Sequence, residues 1–306
     1  MRRSSSSAKS RKFLFVVHGA RAEQPDVRHL VDWVREKGHV VDPRVTWEQG
    51  DGTRFTIEGV KRGVDAVVAL GGDGTVNEVV NGLSGSDIPL GIVPVGTAND
   101  FAKQVGISSD TDHAMDVILQ RKPVRIDTAE LDGRRFLNVS SGGIGAEATA
   151  ETPPEAKESL GPLAYAVTGF RKLTNLSPGR ARFQGPGFSL ECEFLIFAVG
   201  NGRITGGGTR IAPQARTTDG LLDVCIIEAM PLRKFSRLLL KMRKGEHLGE
   251  EGVHYAQLPS LTVNAQKPVT VNLDGESLLK KTLRYTSRPR DLRIYLPPLP
   301  AGERRR

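Results

Sequence analysis

The chain has 306 residues, 38% hydrophobic and 25% charged, which is enough for about two domains of an ordinary globular protein. Of its net charge of +8, residues 1–12 hold +5 (Arg2, Arg3, Lys9, Arg11 and Lys12) and residues 301–306 hold +2, leaving +1 on the body. A nucleic-acid binder carries its positive excess on a folded face, so no nucleic-acid partner is expected. No apolar run reaches the ~18 residues of a membrane span.

The start, MRRSSSSAKSRK, is followed by only five apolar residues, too few for a signal-peptide core, so a cytoplasmic location is expected. The two basic ends read as solvated, disordered tails, or as weak attractors of anionic lipid headgroups. Phe13–Val17 is a wholly apolar run, as in a parallel strand covered on both faces. Val27, Leu30, Val31 and Val34 follow at helical spacing, and Gly38 stops that helix. Val40–Thr46 predicts a second strand, interrupted by Pro43, and Thr53–Gly63 a short helix. Ala66–Leu70 predicts a third strand that runs into a glycine loop, with helical character over Thr75–Leu83. Ile88–Val93 predicts a fourth strand ending in a Gly/Pro loop. This alternation predicts an α/β domain with a mostly parallel sheet over residues 13–127.

From about residue 125 the pattern changes. Thr128–Leu131 and Phe136–Ser140 flank Asp132-Gly133, a hairpin signal. Further strands are predicted over Glu193–Val199, Leu222–Glu228, Val253–Leu258, Leu261–Val263, Val269–Leu273 and Leu292–Leu296. Helices are predicted over Gly161–Lys172 and Leu232–Lys244. Residues 128–298 thus read as a larger, β-rich sandwich, with basic tails at 1–12 and 299–306. Cys192 and Cys225 lie in apolar runs without Cys-x-x-Cys spacing and read as thiols; the six histidines show no metal spacing.

Two loops carry chemistry. In Leu70-Gly-Gly-Asp-Gly-Thr-Val-Asn-Glu78 a strand feeds a glycine turn that feeds a helix. Glycines let the backbone approach phosphate oxygens, and a helix N-terminus favours anions. No Gly-Lys-Ser/Thr follows, so it is not a Walker A loop. Gly143-Ile-Gly145-Ala-Glu-Ala148 matches a relaxed dinucleotide fingerprint, but it sits in the β-rich half without a ribose-binding acid after it. The second loop is Gly91-Ile-Val-Pro-Val-Gly96-Thr97-Ala98-Asn99-Asp100-Phe101-Ala102, in which Asn99 and Asp100 suit a helix start. In open α/β sheets ligands bind beyond the carboxyl ends of the strands. An active site is therefore expected there, in a cleft closed by the second domain.

Together, Gly-Gly-Asp-Gly-Thr at 71–75 and Gly-Thr-Ala-Asn-Asp-Phe-Ala at 96–102 resemble the diacylglycerol-kinase catalytic family, and within it the bacterial YegS-type lipid kinases. The likeness extends to Val45-Thr46-Trp47-Glu48, Asn138–Gly161 with its Glu-Thr-Pro-Pro run, Gly200–Asp223 and Asn272-Leu-Asp-Gly-Glu-Ser-Leu278. The first motif alone is shared with NAD kinases and phosphofructokinases, whose fold is expected for the first domain. The resemblance implies that Thr46, Gly72, Asp73, Gly74, Thr75, Val76, Asn77, Glu78 and Thr97 contact ATP. It implies that Asp219, with main-chain carbonyls of Arg216 and Leu221, holds a divalent ion, Mg²⁺ or alternatively Ca²⁺. It also implies that Glu276 accepts the proton of the attacking alcohol; the residues themselves add Asp274, two positions away, which can share that work or pair with the metal. The expected acceptor is a lipid hydroxyl, of phosphatidylglycerol or diacylglycerol, met peripherally at the inner membrane face. NAD kinase is the alternative enzyme, and a non-catalytic nucleotide or lipid sensor the alternative class. The oligomeric state stays open.

One element speaks to the lipid side. Leu232, Phe235, Leu238, Leu239 and Met242 form an apolar stripe among Arg233, Lys234, Arg237, Lys241, Arg243 and Lys244. It reads either as an interfacial helix or as a helix packed on the second domain with its basic side in water.

Overall fold

The computed structural model describes residues 10–143, 178–273 and 276–298, with Glu276 described in its backbone alone. The helix predicted over 161–172, most of the 138–161 motif, residues 144–148, Asp274, Gly275 and nearly all of both basic tails lie outside the described residues. The chain divides into two units. The first comprises Met1–Thr97, Gly106–Val124 and Leu292–Arg306; the second comprises Ala98–Val105 and Arg125–Asp291.

The first unit is built on β1 (Lys12–His18), α1 (Pro25–Glu36), β2 (Val40–Thr46), α2 (Asp51–Lys61), β3 (Ala66–Gly71), α3 (Asp73–Gly82) and β4 (Leu90–Pro94). The strands pair in parallel in the order β2-β1-β3-β4. β3 is buried along its whole length, which explains its unbroken apolar sequence. Pro43 is tolerated because β2 is an edge strand, paired among the described residues only with β1. α1 begins at Pro25 and buries the predicted stripe Val27, Leu30, Val31 and Val34 against β1 and β3. Gly59 lets α2 lie against β1, since a Cβ there would come within 2.6 Å of the Leu14 side chain.

Two segments cross between the units. α4 (Asp100–Gln104) belongs to the second, where Gln104 Oε1 accepts the Arg203 N–H and Asp100 Oδ2 accepts the Gly207 N–H at 3.0 Å. It starts where Asn99 and Asp100 predict a helix, but no side chain caps it; Asn99 takes the left-handed conformation instead. α5 (Thr111–Gln120), not anticipated from the sequence, returns to the first unit and packs Ala114, Met115 and Ile118 onto its core.

The second unit is mostly antiparallel. Its strands are β5 (Val124–Leu131), β6 (Arg134–Phe136), β7 (Val139–Gly143), β8 (Gly179–Gly185), β9 (Phe188–Gly200), β10 (Leu222–Glu228), β11 (Val253–Leu258), β12 (Ser260–Leu273) and β13 (Glu276–Ile294). β5 begins and β13 ends in the first unit, where Ile294 pairs in parallel with Leu90 of β4. Their pairing path is β11-β10-β9-β7-β12-β13, with β8 against both β9 and β12. Alternation sorts side chains between two cores. In β10, Leu222, Val224 and Ile226 join one cluster, while Cys225 and Ile227 join the other. The first cluster is centred on Phe183, Phe194 and Phe197, packed edge to face at 5.4–5.6 Å. The second is covered by α6 (Leu232–Lys244) through Phe235, Leu238 and Met242. The stripe therefore packs on the second unit. Cys192 and Cys225 are free thiols, pushed up by burial to about 11 and about 12.

Candidate functional site

In the first unit, the sheet brings the predicted nucleotide residues to one edge. Register pairs His18 with Thr46, Val17 with Leu70 and Gly71 with Pro94, so β2, β1, β3 and β4 all end together. The strand order reverses at β1, whose neighbours lead away on both sides, and such a switch point is where α/β sheets hold ligands. The loop after β3 enters α3 at Gly72, whose N-cap position carries no side chain. Backbone N–H groups at its first turn are thus oriented outward in the manner that binds anions.

The run 72–78 divides sharply. Gly72, Asp73 and Gly74 are accessible, whereas Thr75, Val76 and Asn77 are buried in α3. Thr75 folds back over Gly71, where an added Cβ would come 2.3 Å from its Oγ1. Gly74 is the opposite case, since a Cβ there would meet nothing within 4 Å. Packing explains the glycine at 71 and leaves the one at 74 to an approaching ligand. Gly71→Ala is accordingly expected to destabilise the fold by about 1–3 kcal/mol through overpacking. Gly74→Ala is expected to leave thermal melting unchanged and to raise the KM for nucleotide about ten-fold. Equal effects of both substitutions on melting would contradict this division.

Glu78 points away from the loop. Its two carboxylate oxygens accept the N–H groups of Gly50 (2.9 Å) and Gly52 (2.7 Å), and its carbonyl accepts the Thr53 hydroxyl. Asp51 fastens the same segment by accepting the N–H groups of Trp47 and Glu48 at 2.8 and 3.2 Å. These bonds, with Arg54 beside it, hold the Asp51 carboxyl below the usual carboxylate range. The turn after Thr46 is therefore rigid, and it presents Trp47 with 90% of its surface exposed. Thr97 is exposed beyond β4.

In the second unit, Arg216, Asp219 and Leu221 lie together on the loop before β10. Asp219 Oδ1 accepts the Leu221 N–H at 3.1 Å. Partial desolvation raises the Asp219 pKa, and the nearby Asp127 carboxylate adds to the effect. Asp127, on β5, was not singled out from the sequence, yet it organises the loop. Its N–H donates to Thr217 O at 2.7 Å, and its carboxylate accepts the N–H groups of Gly220 and Arg290, both at 2.7 Å. Asp223 is a second unanticipated acid. It is fully buried in β10, accepts from the Tyr255 hydroxyl (2.6 Å) and Gln257 Nε2 (3.1 Å), and is pushed up to about 6 by burial. Each sits in a strand that carries a further acid, Glu130 in β5 and Glu228 in β10, so neither stands out in the sequence.

Among the described residues, no three His, Cys, Asp or Glu side chains gather as a metal cage. One carboxylate with main-chain carbonyls and water still suits a hard cation such as Mg²⁺, which keeps much of its hydration. The surplus negative field of Asp219 and Asp127 fits such an ion. Glu276 opens β13, its backbone paired with Leu273 across the β12–β13 hairpin, and its side chain lies outside the described residues.

Residues 12–131 match the diacylglycerol kinase catalytic domain, and residues 138–296 match the YegS C-terminal NAD kinase beta sandwich-like domain. With an α/β domain whose third strand feeds a glycine loop, these two matches make the chain a kinase of the diacylglycerol-kinase class. A crystal structure of a diacylglycerol kinase from Bacillus anthracis str. Sterne shares the fold, with a TM-score of 0.70 and 22% identity over 95% of this chain and 98% of that one. Proteins named "Probable lipid kinase YegS-like" are more similar in sequence. The one from Pseudomonas putida is 39% identical, covering 94% of this chain and 96% of its own, and that of Pseudomonas aeruginosa PAO1 is 40% identical, covering 94% of each. The chain belongs to the YegS-like lipid kinase family.

Proposed function

We propose that this lipid kinase transfers the γ-phosphate of ATP to the hydroxyl of a lipid of the phosphatidylglycerol or diacylglycerol kind. The observation that carries the ATP half is the accessible turn Gly72–Gly74 at the α3 N-terminus, with the glycine at 74 unexplained by packing. Thr46 and Thr97 flank it and would contact the nucleotide, while Thr75, Val76 and Asn77 shape the turn from within. Glu78 serves as a strut. A divalent ion, Mg²⁺ in this reading, would be held by Asp219 and the carbonyls of Arg216 and Leu221, and it supplies charge neutralisation for the phosphates. Phosphoryl transfer passes through a loose transition state, so positioning and charge dominate. The lipid oxygen bonds to the γ-phosphorus as the bond to the ADP oxygen breaks, and Glu276 takes the hydroxyl proton.

Among the described residues no helix is long and apolar enough to cross a membrane, in keeping with an enzyme that works from the cytoplasmic side at the lipid surface. The test is a radiolabelled-ATP assay against defined lipids and NAD. Labelled lipid is expected, abolished by EDTA and restored by Mg²⁺. Labelled NADP, or activity indifferent to EDTA, would overturn the reading.

A further inference from the structure

α6 has a buried side that its packing explains and an outer side that it does not. Six of its thirteen residues are Lys or Arg and none is acidic. At about 100° per residue, the direction opposite Phe235, Leu238 and Met242 falls on Leu240. Arg233 and Lys244 lie beside it, with Arg237 and Arg243 further out. Leu240 is 68% exposed, and Leu232, at the first turn, is 39% exposed. Neutralisation of the helix is confined to one flank, where Lys234 pairs with Glu251 at 2.7 Å and Lys241 with Glu250 at 2.6 Å. Among the described residues, Arg233, Arg237, Arg243 and Lys244 have no ion pair.

A single exposed leucine needs no explanation. A leucine at the centre of four cations with no ion pair among the described residues is different, because no described acid relieves their mutual repulsion. A partner that relieves it must be anionic and must offer an apolar layer beneath its charge. A second copy of this face would add repulsion, and a nucleic acid would give Leu240 nothing. We propose that the outer face of α6 docks the kinase on an anionic bilayer, with Arg233, Arg237, Arg243 and Lys244 at the headgroups and Leu240 inserted below them. The inference deepens the lipid-kinase reading by naming the surface on which the acceptor is met.

The test is co-sedimentation of the full-length chain with neutral phosphatidylcholine vesicles and with vesicles containing about one-third phosphatidylglycerol. Binding is expected only to the anionic vesicles, weakening as salt rises. Arg233→Glu/Arg237→Glu is expected to lower it at least ten-fold, and Leu240→Glu comparably. Both basic tails are present in every variant, so the differences report on α6. All these side chains are exposed, so melting and the phosphorylation of a monomeric short-chain acceptor should stay unchanged, while phosphorylation of the same headgroup in vesicles falls. Unchanged vesicle binding in both variants overturns the proposal. So does binding that ignores Leu240 and is competed equally by duplex DNA, the result expected of a merely electrostatic face. A chain that binds vesicles as described yet phosphorylates neither acceptor would count against the kinase reading and leave the docking face standing.

Discussion

Glu276→Gln is expected to lower turnover by about a hundred-fold to ten-thousand-fold while leaving the melting temperature unchanged, since a positioned proton acceptor contributes on that scale. The amide keeps the size of the side chain and removes its basicity. The backbone around it is anchored independently, because β12 and β13 pair from Leu273↔Glu276 through Val269↔Lys280. Replacing one side chain at the hairpin leaves that ladder intact. Single-turnover transfer from labelled ATP, set beside circular-dichroism melting, separates the two effects. Nucleotide KM should move little. Turnover within about three-fold of the unaltered chain would remove Glu276 from the chemistry and direct attention to Asp274.

Asp127→Ala should produce the largest combined effect on stability and cation use. The Asp127 side chain is 1% exposed and accepts two backbone N–H groups, from Gly220 and Arg290. Truncation strands both donors, at about 1–3 kcal/mol each. Asp127→Asn should cost about half as much, because an amide offers one acceptor oxygen where the carboxylate offers two. The bond to Gly220 also fixes the loop that carries Asp219. The Mg²⁺ concentration for half-maximal activity is therefore expected to rise about ten-fold in the asparagine variant. Thermal melts and Mg²⁺ titrations at saturating nucleotide check both statements. An asparagine variant with native stability and native Mg²⁺ dependence would show that the loop is held otherwise.

The first unit was readable because its determinants are local. Strands β1, β3 and β4 are buried on both faces, so their apolar runs stand out in the sequence. The α1 stripe follows from spacing alone, and β10 and α6 have the bounds that the sequence predicts. The sequence predicts two strands where β12 is one, because the polar run Asn264–Pro268 splits its apolar residues; the register shifts there, between Asn264 and Val269. Most of β13 was missed. Its buried positions Leu283, Tyr285 and Ser287 alternate with exposed Arg284 and Arg288, a pattern that the surrounding charge obscures. β8 is obscured likewise, its buried Ala181 and Phe183 alternating with Arg180, Arg182 and Gln184. The site followed the same rule. The glycine loop announces itself within five residues. Asp127 acts through partners 93 and 163 positions away, which no local pattern reveals.

The rigid turn after β2 has an optical consequence. The chain holds two tryptophans. Trp33 lies on α1 under the Lys37 ammonium, 4.4 Å from its ring, whereas Trp47 stands in solvent two strands from the glycine loop, a lateral distance of about 10 Å. In a Trp33→Phe chain the remaining indole emits from the strand ends themselves. Its fluorescence then follows, without any label, what arrives at that edge of the sheet and what leaves.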